Sequence, residues 1–329
     1  MEYTTFADTG REVSRIGLGC WQLGGDWGTV SDDDAREILM TAIESGITFL
    51  DTADVYGDGR SERLIGAFLR DNDLGRPGAA PFVATKVGRR NYPGPYTRDG
   101  VRAHITDSIK RLGTEALDLV QLHCIPTDVM ADGEIFGWLT EARDEGLVRA
   151  FGASVETVDE GLMLLQMPGL SSLQIILNVF RQKALDTLLA DADRLGVAVI
   201  ARLPLASGLL SGRFDRSTTF AEDDHRNYNA DGAAFNVGET FAGLPFEHAL
   251  SVVEELRLMV PPSMSMAQMA QRWLLDQPAV TTVITGASRA EQVRDNASAA
   301  ELERLDDSLH ERLAEVYRTR VHDHVRGVY

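Results

Sequence analysis

Eight short apolar runs alternate along the chain with longer segments in which apolar residues recur every three or four positions. Short apolar runs are typical of buried strands, and the longer segments are typical of amphipathic helices. Strand–helix alternation predicts a parallel sheet, because each helix returns the chain to the end at which the next strand begins. The predicted strands are residues 16–19, 47–51, 82–86, 117–123, 148–152, 173–178, 197–202 and 280–285.

Eight strand–helix units within 329 residues favour a closed (β/α)8 barrel, the TIM barrel, over an open sheet. An open dinucleotide-binding sheet would need a glycine fingerprint after its first strand, and Gly17 and Gly19 lack the third glycine. Extended segments at 3–6 and 12–15 flank a turn and predict an N-terminal β-hairpin. Extra helices are expected at the C-terminus, and residues 213–244 are expected to form a long loop. Without an evident linker, residues 1–329 are predicted to form a single domain.

The formal net charge of −18 argues against nucleic-acid partners and against docking on anionic membranes, because phosphate-rich surfaces would repel the chain. The two cysteines, Cys20 and Cys124, cannot build a disulfide framework or a paired-cysteine zinc site, which suits a reducing cytosol. The first ten residues lack the apolar core of a signal peptide, and no apolar run approaches the roughly 20 residues of a membrane span. We therefore expect a cytoplasmic protein, and the sequence leaves its oligomeric state open.

Four ionisable side chains lie at, or just after, the ends of three consecutive predicted strands. Asp51 ends the second strand, Lys86 the third and His123 the fourth, and Tyr56 lies in the loop that follows Asp51. In this type of barrel the carboxyl ends of the strands form one rim, where active sites are built. Each residue alone has an ordinary structural explanation, so the prediction of a site depends on all four meeting at this rim.

These four residue types form a coherent set for protonating a carbonyl oxygen. A free tyrosine has a pKa of about 10 and is a weak acid near neutrality. A nearby ammonium favours the phenolate, so Lys86 is predicted to lower the pKa of Tyr56, while Asp51 holds Lys86 charged. His123 is predicted to hydrogen-bond to the substrate oxygen. Because no side chain donates hydride, the set implies a redox cofactor.

The segment Asp51-Thr-Ala-Asp-Val-Tyr56-Gly57 resembles the signature of the aldo-keto reductase family. The similarity extends in one order through residues 13–19, 84–86, 118–123, 152–154, 204–213 and 284–296, which span nearly the whole chain. The resemblance implies a (β/α)8 barrel, Tyr56 as general acid and base, Lys86 and Asp51 as its tuning partners, and His123 as the group that orients the carbonyl. It also implies a nicotinamide cofactor, with NADPH expected and NADH possible.

The resemblance further implies a set of cofactor-binding residues. Ser154 and Gln174 would hold the nicotinamide carboxamide, and Arg202 stands where many members place an aromatic ring that stacks on the nicotinamide. The remaining members would contact the pyrophosphate or the adenosine 2′-phosphate: Leu205, Ser207, Gly208, Leu210, Gly286, Ser288, Arg289, Gln292 and Asn296. The chain departs from the family pattern at Val155, where an asparagine is common, at Thr285, where a proline is common, and at Ser288, where a lysine is frequent.

Trp21, Trp27, Val55 and Tyr92 are predicted to form the wall of a pocket for a small carbonyl or sugar-like substrate. Residues 223–226 of the long loop could reach the mouth of this pocket, and no metal is expected, because His225 and Asp223 lack a third ligand at suitable spacing. Three alternatives stay open. They are an NAD-dependent sugar or polyol dehydrogenase, a cofactor-binding regulatory subunit resembling potassium-channel β subunits, and a metal-dependent barrel hydrolase.

Overall fold

A computed structural model describes residues 1–25, 30–74, 80–92 and 94–329. Eight parallel strands close into a barrel, in which the last strand of the chain pairs with the first barrel strand. Two antiparallel strands form a separate hairpin before the barrel. The strands are β1 (Tyr3–Thr5), β2 (Glu12–Ser14), β3 (Ile16–Gly19), β4 (Phe49–Asp51), β5 (Phe82–Val87), β6 (Leu117–His123), β7 (Val148–Ser154), β8 (Ser172–Ile176), β9 (Ala198–Arg202) and β10 (Val280–Gly286).

Helices lie between the barrel strands and continue after the last of them. They are α1 (Asp32–Glu44), α2 (Arg60–Asp71), α3 (Arg98–Leu112), α4 (Thr127–Asp132), α5 (Glu134–Asp144), α6 (Val158–Leu164), α7 (Leu188–Leu195), α8 (His225–Tyr228), α9 (Phe246–Arg257), α10 (Met266–Leu275), α11 (Ala290–Ser298) and α12 (Asp307–Val316). In the described parts of the chain, no helix is both long enough and apolar enough to span a membrane.

The structure confirms the predicted (β/α)8 barrel and its N-terminal hairpin. Each of the eight predicted strands is present, with ends that shift by a few residues. The segment 213–244 contains one short helix, α8, and two 3-10 turns, Val237–Glu239 and Phe241–Gly243. The prediction that residues 1–329 form a single domain stays a prediction.

An aromatic cluster fills the end of the barrel at which the strands begin. Phe6, from the turn of the hairpin, lies 4.7 Å from Phe82 and 5.7 Å from Phe49 between ring centroids. Phe49 and Phe82 are the first residues of β4 and β5, so the hairpin closes the amino-terminal end of the barrel. The opposite end, where the strands finish, is therefore the end at which a cavity forms.

Candidate active site

The strand ends bring the predicted polar residues to one rim of the barrel. Parallel register sets their height, since Asp51 pairs with Ala84, His123 with Ser154, and Ser154 with Gln174. Asp51, Tyr56, His123, Ser154, Gln174 and Arg202 all line one cavity of about 630 Å³. The positions of these residues at predicted strand ends were enough to predict that they lie together, because the carboxyl ends of all the strands of a parallel barrel form one rim.

Lys86 lies behind the cavity wall, between Asp51 and Tyr56. Its Nζ donates to Asp51 Oδ1, to the carbonyl oxygen of Thr52 at 2.9 Å, and to Tyr56 Oη at 3.3 Å. Burial alone would lower the pKa of Lys86, but the interactions with Asp51 and Tyr56 together outweigh it and raise the pKa above the ordinary value. Lys86 therefore stays an ammonium although its side chain is almost fully buried.

The pKa of Tyr56 differs from the sequence-based prediction. Burial raises the pKa of Tyr56 above its ordinary value, and the opposing effect of Lys86 does not reverse this. The expectation of a net lowering was wrong, because it considered the ammonium without the loss of solvation around the phenolate. Tyr56 is therefore a protonated phenol at neutral pH, and the protonated form is the one that can donate a proton.

His123 is buried beside Tyr56, with ring centroids 5.8 Å apart and the rings nearly perpendicular. Its pKa lies well below the ordinary value because of burial, with further lowering by the charges of Arg89, Lys86 and Arg202. His123 is therefore a neutral imidazole near neutral pH, so it can donate one hydrogen bond and accept another.

Four buried or partly buried ionisable side chains lie in a row along one side of the cavity. Arg89 Nη2 donates to Glu239 Oε1 at 3.0 Å, and Arg202 Nη1 lies 3.6 Å from the same oxygen. Arg202 Nη2 donates to Glu156 Oε2 at 3.2 Å and to the carbonyl oxygen of Val155 at 3.2 Å. Sequence reasoning missed Arg89, Glu156 and Glu239. Arg89 had a usable signal in the sequence, because it follows the Lys86 strand even more closely than Tyr56 follows the Asp51 strand.

Three potential metal ligands belong to the same region. Atoms of Cys124, Glu156 and Glu239 lie within 4.8 Å of one another. Arg202 Nη2 is 3.6 Å from Cys124 Sγ, so a guanidinium already supplies positive charge to this group. Burial also raises the pKa of Cys124 to about 12, which keeps the thiol protonated. The chemistry of this group fits an ion-pair cluster better than a metal site.

The cavity extends from Tyr56 towards the amino-terminal end of α11. Leu205, Ser207, Gly208, Gly286, Ser288 and Gln292 line this extension. Gly208 adopts a φ of +96°, a backbone conformation that favours glycine, and a Cβ on Gly286 would displace the side-chain amide of Gln22, which lies within 2.3 Å. Arg202 Nε is buried without a hydrogen-bond partner among the described residues. A long cavity with polar groups at both ends fits a dinucleotide.

Three residues of the predicted cofactor set do not line the cavity. Leu210 is fully buried in the apolar core. Asn296 is buried, accepts a hydrogen bond from Gln271 at 2.8 Å, and donates to the carbonyl oxygen of Gly286 at 3.3 Å. Arg289 is exposed at the N-cap of α11, next to Ser288. Leu210 and Asn296 can therefore act on a ligand only by supporting residues that line the cavity.

The predicted substrate residues are divided between the cavity and the surface. Trp21 and Val55 line the cavity, and the Trp21 ring stacks on Tyr56 at 5.9 Å. Tyr92 does not line it: this residue follows the 3-10 turn Arg89–Asn91, which leaves its side chain 68% exposed. The prediction for Tyr92 is therefore corrected, and Trp27 lies outside the described residues. Phe235, from the long loop, completes the aromatic wall 6.2 Å from Trp21.

Comparisons with known proteins agree on one family. The family model described as the aldo/keto reductase family matches residues 15–318. The aldo-keto reductase YhdN of Bacillus subtilis is 31% identical over 300 residues, which cover 89% of this chain and 87% of that protein. The L-glyceraldehyde 3-phosphate reductase of Escherichia coli is 31% identical over 319 residues, 91% of this chain and 87% of that protein. The solved structure of glycerol dehydrogenase AKR11B4 from Gluconobacter oxydans has a TM-score of 0.79 at 28% identity, covering 99% of this chain and 98% of that chain.

Proposed function

The chain belongs to the aldo/keto reductase family, and we propose that it reduces aldehydes or ketones to alcohols with a nicotinamide cofactor as hydride donor. Members of this family are oxidoreductases that act on small carbonyl compounds with nicotinamide cofactors. The observation that carries the proposal is the position of Lys86 Nζ, bonded to Asp51 and 3.3 Å from Tyr56 Oη. The adjoining cavity of about 630 Å³ has the volume of a small-molecule site.

When bound, a nicotinamide cofactor would supply the hydride for the carbonyl carbon. The proposed role of Tyr56 is to donate its proton to the carbonyl oxygen. Lys86 stabilises the phenolate that forms, and Asp51 keeps Lys86 charged and aligned. His123, as a neutral imidazole, hydrogen-bonds to the carbonyl oxygen and orients it. The aromatic wall of Trp21 and Phe235 excludes water from the reacting carbon.

The cofactor is proposed to lie along the extended cavity. Ser154, Gln174 and Arg202 line the cavity where they would hold the nicotinamide end, and Leu205, Ser207 and Gly208 line it where they would hold the pyrophosphate. Gly286, Ser288, Arg289 and Gln292 meet the adenosine end. Leu210 and Asn296 act there by packing and by holding Gly286. NADPH is proposed over NADH because an exposed guanidinium at a helix N-terminus suits the 2′-phosphate.

Substituting Tyr56→Phe tests the proposed proton donor. We expect carbonyl reduction to fall by a factor on the order of 10² to 10⁴, the usual contribution of a positioned general acid, while NADPH affinity stays within about two-fold. Stopped-flow absorbance of the reduced nicotinamide gives the rate, and fluorescence titration gives the affinity. Tyr92→Phe is the matched control, because Tyr92 is exposed and does not line the cavity. Turnover close to wild type in Tyr56→Phe would reject the mechanism.

A second candidate is the oxidation of a polyol in the reverse direction. The similarity to glycerol dehydrogenase AKR11B4 favours it, since that protein is named for an alcohol substrate. Arg202 argues for reduction, because a cation near the nicotinamide disfavours the oxidised, positively charged ring. Initial rates with NADPH, NADH, NADP⁺ and NAD⁺ separate the two candidates, and faster turnover with either oxidised form would favour the dehydrogenase.

A further inference from the structure

Arg89 lines the cavity beside His123, and the proposed function gives it no role. It begins a 3-10 turn directly after β5, behind Gly88, whose φ of +107° turns the chain back over the rim. Its guanidinium lines the cavity, with 29% of the side chain exposed. One nitrogen, Nη2, is held by Glu239 at 3.0 Å, and the other, Nη1, lies 3.4 Å from His123 Nε2.

The contact between Arg89 and His123 determines which imidazole nitrogen carries the proton. A guanidinium only donates hydrogen bonds, so His123 Nε2 must accept, and the single proton of the neutral ring then lies on Nδ1. Nδ1 is buried and has no hydrogen-bond partner among the described residues. In this tautomer Nε2 cannot donate to a carbonyl oxygen, so the free protein holds His123 in an unproductive state.

The spacing of the two nitrogens matches a pair of oxygens on neighbouring carbons. Standard bond lengths and angles place the oxygens of an α-hydroxy or α-dicarbonyl compound about 3 Å apart. His123 Nε2 and Arg89 Nη1 are separated by 3.4 Å, so each can face one of these oxygens. Burial alone would lower the pKa of Arg89, but Glu239 together with the nearby acidic groups of Cys124 and Glu156 outweighs it and raises the pKa, so the charge persists in the cavity.

We propose that Arg89 binds a second oxygen of the substrate, on the carbon next to the reacting carbonyl, and thereby releases His123 Nε2 to hydrogen-bond to the carbonyl oxygen. The preferred substrates are then α-hydroxy and α-dicarbonyl compounds. A simple aldehyde or ketone has no second oxygen to bind Arg89. Arg89 Nη1 then stays hydrogen-bonded to His123 Nε2, and the imidazole keeps its proton on Nδ1. This inference rests on the proposed function, because it assumes that the carbonyl oxygen lies between Tyr56 and His123.

Two isosteric substrate pairs test the specificity. They are 2-hydroxypropanal against 2-methylpropanal, and 2,3-butanedione against 3-methyl-2-butanone, each compared by kcat/KM with NADPH. The second oxygen also raises the intrinsic reactivity of the carbonyl, so the contribution of Arg89 is the change in the substrate ratio between wild type and variant. A hydrogen bond from a charged group contributes about 1.5–3 kcal/mol, so Arg89→Met should lower the preference for the oxygenated member by about 10- to 100-fold relative to wild type, and Arg89→Lys should restore part of it.

Arg90→Met is the matched control, because Arg90 is the next residue and bonds to Asp58 and Asp54 instead of lining the cavity. We expect it to keep the wild-type substrate ratio. An Arg89→Met protein that loses both members of a pair by the same factor would contradict the inference, since Arg89 would then act without regard to the second oxygen.

The histidine tautomer gives a readout that does not depend on turnover. In ¹⁵N-histidine NMR spectra of the protein with NADPH analogue bound, His123 should carry its proton on Nδ1. Adding 2,3-butanedione should move the proton to Nε2, and 3-methyl-2-butanone should not. Protonated Nε2 in the absence of substrate would overturn the inference. The expected tautomer change with no reduction of any carbonyl compound would instead overturn the proposed function alone.

Discussion

At the scale of single residues, two buried carboxyls in the ion cluster have opposite protonation states. Glu239 forms ion pairs with two guanidiniums, Arg89 and Arg202, whereas Glu156 pairs with one guanidinium, Arg202, among the described residues. Burial and the neighbouring charge of Glu239 raise the pKa of Glu156 to about 7. Burial acts in the same direction on Glu239, but its two guanidinium partners outweigh this and lower the pKa to about 2. Below about pH 7 Glu156 therefore carries a proton, whereas Glu239 is ionised.

Glu156→Gln should change how stability depends on pH. The pKa of Glu156 is raised in the folded state, so wild-type stability is unaffected below the ordinary pKa of 4.5, falls as pH rises towards 7, and stays reduced above it. The glutamine variant lacks this loss. Relative to wild type, its unfolding free energy should rise between pH 5 and pH 8 by on the order of 1–3 kcal/mol. Urea unfolding at both pH values measures this difference.

The control for Glu156→Gln is Glu303→Gln, which removes an exposed carboxyl. Its unfolding free energy should follow the wild-type pH profile. Parallel profiles for Glu156→Gln and wild type would show that Glu156 is ionised throughout this range and that Arg202 determines its state.

At the scale of secondary-structure elements, backbone contacts between loops set the position of Tyr56. Gly57 has a φ of +56°, and a Cβ there would come within 2.1 Å of the carbonyl oxygen of Gly24. The loop after β4 therefore packs backbone against backbone on the 3-10 turn Gln22–Gly24, which follows β3. This close approach brings Trp21 onto Tyr56, so the wall of the cavity and the proposed acid are positioned together.

The amino-terminal end of α11 is the element to test for cofactor preference. Arg289→Ala removes an exposed guanidinium at the N-cap, where the helix dipole adds to its attraction for an anion. NADPH affinity should fall by about ten-fold and NADH affinity by less than about two-fold, because NADH lacks the 2′-phosphate. Isothermal titration calorimetry measures both. Arg294→Ala, later on the same helix, is the control, and an equal loss for both cofactors would contradict this role.

At the scale of the whole molecule, the C-terminal tail holds the long loop that carries Glu239. Arg326 donates to the carbonyl oxygens of Gly243 and Ala230 at 2.9 and 2.8 Å, and it pairs with Asp231. Lys183 Nζ donates to a main-chain oxygen of Tyr329 at 2.7 Å, which holds this segment in place. The last residues of the chain thus support a loop whose carboxylate reaches the cavity.

Arg326→Ala should loosen this loop without unfolding the barrel. We expect faster hydrogen exchange in residues 229–244, because the variant loses several hydrogen bonds to that backbone. Mass spectrometry of exchanged peptides measures the change, and barrel peptides should keep wild-type rates. Arg318→Ala is the control, since Arg318 is exposed and pairs with Glu315 one turn earlier in the chain. Unchanged exchange in 229–244 would show that the tail does not restrain the loop.

The barrel and its hairpin could be predicted from sequence, because apolar periodicity and turn residues act between near neighbours in the chain. The family was indicated by the resemblance of residues 51–57 to a known signature. The predicted strand ends also indicated that four side chains meet, because a parallel barrel brings successive strand ends to one rim. These side chains are Asp51, Lys86, His123 and Tyr56. The roles of these residues remain proposals.

Tertiary structure alone decided the electrostatics of the cavity. Arg89 and Glu239 are 150 positions apart, and no local pattern links them before the long loop folds over the rim. The raised pKa of Tyr56 depends on how completely its surroundings exclude water, and the exposure of Tyr92 depends on the turn that precedes it. Local pattern determines which elements form, whereas packing between distant segments determines which charges meet and how far water reaches them.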